Sequence, residues 1–379
     1  MTSSLRRFAL NVALTAVAVS LAGCEKPNGL SELAVARAAY EVRDLKKAEK
    51  LLEKSLAFNA TNVDALVAYA MVKLDLGEMP LADDAIAKAA AVAPNDIDVR
   101  LLGATIAYHL NDYNRARQMF EAVAADESLD SRLRSQGISG VGVVELANNE
   151  IDLARLSFLR AVRLDRKNAA AWYHIGLIYQ GLGYYEAALE QFEIFVRLEE
   201  VADKRVQDVQ RKTIPLIKEA IARQASERPG ASKRDSAAAA TALEAAEAAW
   251  NRGHFKTAKL RYQDALAADP LSYPAAIGLA KAWEKTDATA AGQKKVFEYY
   301  KIACTLSSGS VKTYLTTGEL ALKLGHYATA VEVYSRAMAA DPANFMAVDG
   351  LIKALRKVGG KNDIAAAYQS YRDFITKKR

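Results

Sequence analysis

Cys24 and Cys304 are the only thiols in the 379-residue chain, and His109, His174, His254 and His326 are the only imidazoles. These groups make a zinc site or a nucleophile–base pair only if they cluster with one another or with carboxylates at ligand spacing. They do not. His254 and His326 each follow a glycine and precede an aromatic residue, in a slot that Tyr184 and Asp112 fill elsewhere. A slot that admits imidazole, phenol and carboxylate alike reads as a surface turn. His109 and His174 stand singly in separate helical patterns, and Cys304, near Tyr300 on an apolar helix, reads as a small core residue. No phosphate-binding glycine loop, nucleophile elbow or HExxH pair appears. The expectation is no catalytic residue, no metal, no cofactor and no small-molecule substrate, hence not an enzyme.

Cys24 stands in a different setting. Arg6 and Arg7 precede a run from Phe8 to Leu21 that is apolar apart from Asn11, Thr15 and Ser20. The run is shorter than the roughly 20 residues a membrane-spanning helix needs, and its basic start and small-residue end describe a secretory signal peptide. Leu21-Ala22-Gly23-Cys24 resembles the lipobox of bacterial lipoproteins. The resemblance implies diacylation of the Cys24 thiol, cleavage before it and acylation of the new amino group. A signal peptide is therefore expected over 1–23 and a lipid-anchored tether over 24–29. Each buried CH₂ of the acyl chains contributes ~0.8 kcal/mol, so several chains hold permanently. Glu25, rather than Asp, follows the cysteine, which favours the periplasmic face of the outer membrane, with an inner-membrane lipoprotein as the alternative. At ~3.5 Å per residue the tether reaches under about 20 Å.

What those residues are mounted on is legible from composition and repetition. With 51% hydrophobic and 25% charged residues, and only 8 prolines and 20 glycines, the chain reads as folded and helical. GLGYYEAALEQFEIFVRL at 181–198 and KLGHYATAVEVYSRAMAA at 323–340 share a turn, an alanine, and an aromatic four residues later: Ala188 with Phe192, Ala330 with Tyr334. The pair recurs at Ala116 with Phe120, Ala154 with Phe158 and Ala258 with Tyr262. Ala48 to Ala82, Ala82 to Ala116 and Ala154 to Ala188 are each 34 residues apart. Each pair follows a helix with its own small residue, such as Ala104, Gly142, Gly176 or Gly318.

This period, with Trp172, Ile175-Gly176, Tyr179, Ala188, Phe192 and a closing turn, resembles the tetratricopeptide repeat. The resemblance implies an all-α fold, a right-handed α-solenoid of helix-turn-helix repeats, in which small residues let helices approach and the aromatic fills the space beside them. About five repeats are expected over 30–198, and a cap helix bent at Pro215 followed by a linker over 199–237. About four more repeats follow over 238–379, the last acting as a cap.

A solenoid binds along the face of its first helices. In the first block that face is apolar, with Val67, Met71, Leu101, Tyr108, Tyr173 and Leu177 as groove candidates and Leu74, Thr105, Val143 and Leu146 beside them. In the second it is mainly basic: Lys281, Lys285, Lys312, Lys353 and Arg356, extended by Lys323 and Lys357, with Glu319 the acid among them. The apolar residues either touch neighbouring helices or form a groove for a segment of another envelope protein. The formal net charge of +6 falls to +4 without Arg6 and Arg7, too small an excess for a nucleic-acid partner. The expectation is a scaffold, tied to the membrane by its lipid, that assembles an envelope complex such as a pilus or secretion system. The alternative is a component of polysaccharide export or cell-wall machinery with a basic, polymer-facing surface.

Overall fold

Paired helices are joined by turns whose closure is made by the backbone. The computed structural model describes residues 29–199, 203–227, 234–306 and 310–377; Cys24 and the expected signal segment 1–23 lie outside them. Helix α1 (Leu30–Glu41) meets α2 (Leu45–Phe58), α3 (Val63–Leu76) meets α4 (Met79–Val92), and α5 (Ile97–His109) meets α6 (Tyr113–Ala125). Helices α7 (Ser131–Ala147) and α8 (Ile151–Leu164) form the next pair, then α9 (Ala169–Gly181) and α10 (Tyr185–Leu198). In each turn one residue takes positive φ: Arg43 at 66°, Gly77 at 81°, Asn111 at 62°, Asn149 at 60° and Gly183 at 73°. The next residue's N–H then bonds to the carbonyl five residues back, as in Glu78 to Lys73 and Asp112 to Ala107, both 2.9 Å. This closure satisfies carbonyls that the helix end leaves open, and it needs glycine or asparagine far more than any particular neighbour. The His254 and His326 turns close identically, on Ala249 and Ala321. Both imidazoles are exposed, which explains how one slot accepts His, Tyr or Asp. Between repeats, Asn62, Asp96 and Asp130 cap the next helix by accepting from backbone N–H groups of its first turn.

The helices gather into two units, Met1–Trp172 and Tyr173–Arg379. In the first, Ala116, Phe120 and Val123 of α6 pack with Leu101, Ala104 and Ala107 of α5 and Val144 of α7 in one core. The expected partnership of small residue and aromatic is direct: a Cβ at Gly140 would stand 2.2 Å from the Phe120 ring, and one at Gly142 2.9 Å from Phe158.

In the second unit, α11 (Lys204–Asp208), a π-helical turn (Val209–Thr213) and α12 (Ile214–Ser226) run on continuously. The N–H of Ile214 bonds to Val209, five residues back. Pro215 lacks an N–H and its ring crowds the carbonyl four residues before it, so the helix widens ahead of it. Val206, Val209 and Ile217 are buried. Beyond residues 228–233, outside the described segments, come α13 (Ser236–Asn251), α14 (Phe255–Ala268), α15 (Tyr273–Thr286) and α16 (Ala290–Leu306). They are followed by α17 (Val311–Lys323), α18 (Tyr327–Ala340), α19 (Phe345–Val358) and α20 (Asn362–Lys377). Tyr334 of α18 belongs to two repeats at once: a Cβ at Gly318 of α17 would lie 2.5 Å from its ring, and one at Gly350 of α19 2.2 Å.

Candidate functional site

The helices α1 and α3 and the first turn of α5 enclose a cavity of about 510 Å³. Its floor is apolar, with Leu33, Ala36, Val67, Ala68, Met71 and Val72 among the lining residues. Met71 is 7% exposed and belongs to the core beneath, packed with Leu66, Ala70 and Leu102, while Val67 is half-buried against the same core. The helical period places them: residues 67 and 71 are one turn apart and share a face of α3.

The rim is charged. One arginine, Arg37, faces four carboxylates, Glu41, Asp64, Asp96 and Asp98. Arg37 is spoken for, its guanidinium donating to Asp64 Oδ1 at 3.0 Å. Asp96 is spoken for too, since it caps α5 by accepting from the N–H groups of Asp98 (2.9 Å) and Val99 (3.1 Å). Asp98 is different. Its Oδ1 is shielded from solvent and accepts no hydrogen bond. Burial, reinforced by the charges of Asp96 and Asp64 and partly offset by Arg37 and Arg132, pushes its carboxyl up to about 6.

The other groove candidates do not join this cleft. Leu101 is 2% exposed in the core with Ala104, Ala116 and Phe120. It is a packing residue here, because α5 is buried on almost every side and a face assignment cannot separate groove from core. Tyr108 is half-buried, its ring 5.7 Å from Tyr113 and 5.4 Å from His109. In the second unit, Tyr173 lies in an aromatic cluster, 5.2 Å from Phe195 and 5.9 Å from Phe192. The guanidinium of Arg205, from α11, stands 5.9 Å from its ring. Leu177 is 39% exposed.

The basic candidates of the second unit sit on the first helices of their pairs: Lys281 and Lys285 on α15, Lys312 on α17, Lys353 and Arg356 on α19. All five are exposed. Among the described residues no carboxylate pairs with any of them, whereas Lys295, Arg261 and Arg336, on second helices, each have one at 2.8–3.2 Å.

Cys304 is 6% exposed, its Sγ 3.1 Å from Thr317 Oγ1, and burial pushes its thiol up to about 11. Trp172 donates to the Arg166 carbonyl at 2.9 Å, and the ammonium of Lys259 lies 4.0 Å from the Trp283 ring. Among the described residues no three His, Cys, Asp or Glu side chains are grouped to hold a metal, and no helix is long and apolar enough to cross a membrane.

Sequence reasoning missed Asp98, Arg37 and Asp64. Asp98 reads as an ordinary acid in the first turn of a helix, where the dipole favours one. Only the approach of α1 and α3 turns it into the wall of an apolar cleft.

Tetratricopeptide-repeat models match residues 142–201 and 311–344. A solved structure of Pseudomonas aeruginosa pilF is 17% identical, with 65% of this chain and 95% of that one covered at a TM-score of 0.40. MamA from Desulfovibrio magneticus is 17% identical over 47% of this chain and 99% of its own, with a TM-score of 0.37. YrrB, described as a TPR protein with an unusual peptide-binding site, is 19% identical over 50% of this chain and 94% of its own, with a TM-score of 0.33. Likeness of this degree says nothing about ligands. The family matches and the helix pairs agree on one conclusion: this chain is an all-α protein that carries tetratricopeptide repeats.

Proposed function

We propose that the protein is a lipid-anchored scaffold of the bacterial envelope that holds a segment of a partner protein against the first helices of its N-terminal unit. The observation that carries this reading is the cavity of about 510 Å³ over Val67 and Met71. Its apolar floor suits a side chain rather than a solute, and its mouth opens on consecutive first helices, the surface on which repeat proteins receive extended or helical segments. No catalytic role is proposed. The sequence around Cys24 supports the anchor, Glu25 after it favours the periplasmic face of the outer membrane over the inner membrane, and an assembly role in a pilus, secretion or similar complex follows by analogy alone.

Two experiments test the two halves. A photo-crosslinking residue at position 67 in living cells should trap one envelope protein. The adduct should disappear on Ala68→Glu and be absent from position 88, on the exposed side of α4. Identical adducts from both positions would sink the groove. Cys24→Ser should abolish incorporation of labelled palmitate and release the chain from membranes, and undiminished labelling would sink the anchor.

A second reading draws on the five candidate cations of the second unit, exposed and, among the described residues, without a carboxylate partner, which suit an anionic polymer. Retention of the full chain on dextran sulfate should then shift to lower salt on combining Lys281→Glu, Lys285→Glu and Lys353→Glu. An unchanged elution position would remove this reading.

A further inference from the structure

The cleft in the N-terminal unit has an unsatisfied chemical feature that narrows what it accepts. Four carboxylates and one arginine ring an apolar floor, and the arginine is already bonded to Asp64. Asp96 is occupied by the backbone of α5. Glu41 is exposed to water, which leaves Asp98, with one oxygen shielded from water and without a hydrogen bond. Such a group carries a cost that a cation brought into the cleft would remove, because a charge-assisted bond replaces a buried, unpaired acceptor.

We infer that the partner segment places a lysine or arginine side chain on Asp98 while its neighbouring apolar side chains rest on Val67 and Met71. The inference rests on the protein-binding reading above and names the chemistry of its ligand. Its basis is charge complementarity: every free charge on the rim is negative. The apolar stem of lysine or arginine also suits this site, since the stem covers Val67 and Leu33 while the head reaches the carboxylate. An acidic or uncharged apolar segment would leave Asp98 desolvated and unpaired, so the cleft discriminates by the cost it imposes on the wrong ligand.

The full chain is titrated with fluorescein-labelled, leucine-rich peptides of about twelve residues. Each carries a single lysine, or its uncharged analogue norleucine, at each position in turn. The best lysine peptide should bind at least tenfold more tightly than its norleucine twin. Asp98→Asn, which keeps the shape and removes the charge, should erase that difference without weakening the norleucine peptides. Val67→Glu should weaken binding of the norleucine peptides. If norleucine peptides bind in a Val67-dependent way and lysine gives no advantage, or if the advantage survives Asp98→Asn, this inference falls and the protein-binding reading stands. If no peptide binds and position 67 traps nothing in cells, both fall. Binding seen only after residues 1–23 are removed would mean that the chain's own leader, with Arg6 and Arg7, is the occupant, and that too overturns the inference.

Discussion

Replacing Gly350 by alanine should destabilise the C-terminal unit, and the size of the loss follows from the geometry around Tyr334. The new Cβ would lie 2.2 Å from both Cε1 and Cζ of that ring, where ordinary carbon contacts need about 3.5 Å or more. The ring would have to retreat by more than 1 Å, and its room is limited on a second helix too, since a Cβ at Gly318 would lie 2.5 Å from it by the same measure. Tyr334 is 2% exposed, so it cannot swing into solvent. Overpacking of this kind costs about 1–3 kcal/mol. Against it stands the helix preference of alanine over glycine, about 1 kcal/mol. With glycine contacts on both neighbouring helices the packing cost sits in the upper part of that range, about 2–3 kcal/mol, leaving a net loss of about 1–2 kcal/mol. Hydrogen exchange followed by mass spectrometry on the segments 327–340 and 345–358 reads the opening free energy locally, which suits a repeat protein that need not unfold in one step. Exchange there should speed up by about five- to thirtyfold. Gly181 is the internal control: a Cβ there meets nothing within 4 Å, so Gly181→Ala should slow exchange around it or leave it unchanged. Equal or slower exchange in Gly350→Ala would refute the view that aromatic rings held between two glycines set the spacing of these repeats.

Three further outcomes are expected. Burial raises the folded-state pKa of Asp98 from an ordinary 3.8 to about 6, so the folded state holds a proton that the unfolded chain releases. Stability of the first unit should therefore fall as pH rises through 3.8–6 and then stay level. The shift corresponds to about 3 kcal/mol at most, and solvent screening of a partly exposed group reduces this to about 1–2. Asp98→Asn forfeits roughly 0.5 kcal/mol of helix-dipole stabilisation and should still slow exchange of the 97–109 amides severalfold at pH 7.5 relative to wild type. No difference should remain at pH 3.5, and a slower wild type at pH 7.5 would contradict the assignment. His174 runs the other way: burial first, and the Arg205 charge second, lower it to about 4, so stability near α9 should be lost as pH falls from 6.5 towards 4, and His174→Gln should flatten that dependence in the same exchange assay. Cys304, with its thiol raised to about 11, should react with a disulfide reagent at pH 8 only on unfolding, and rapid labelling of the native chain would show the thiol to be accessible.

The repeat was legible because it is written twice, once in the 34-residue spacing and once in the partnership of small residue and aromatic. Gly142 with Phe158 and Gly318 with Tyr334 are contacts that spacing alone implies. The cleft was less legible. Val67 and Met71 stand out as apolar residues one turn apart, but Leu101 has the same signature and lies in the core, because exposure on a helix face depends on how many neighbours surround the helix. Asp98 was invisible for a different reason: its unpaired state is created by what α1 and α3 withhold from it. The turn at Pro215 lay between these cases, the proline announcing a disturbance and the packed Val206, Val209 and Ile217 deciding that it would be a π turn within a continuing helix.

The backbone closure of the short turns leaves the side chain after the left-handed position free of the turn itself and available for its surroundings: Glu78 pairs with Lys73, Asp112 accepts from the Arg115 N–H, and the His326 ring stacks on Phe297. The residue types at positions 78, 112, 184, 254 and 326 are thus set by what lies beside each turn and not by the turn. A drift from Asp to Tyr to His at such a place alters the decoration of an edge without disturbing the spacing of the repeats. New contacts at such an edge can be acquired one residue at a time. Position 254, exposed and closed by its backbone alone, accepts a spectroscopic label or an affinity handle while its turn stays intact.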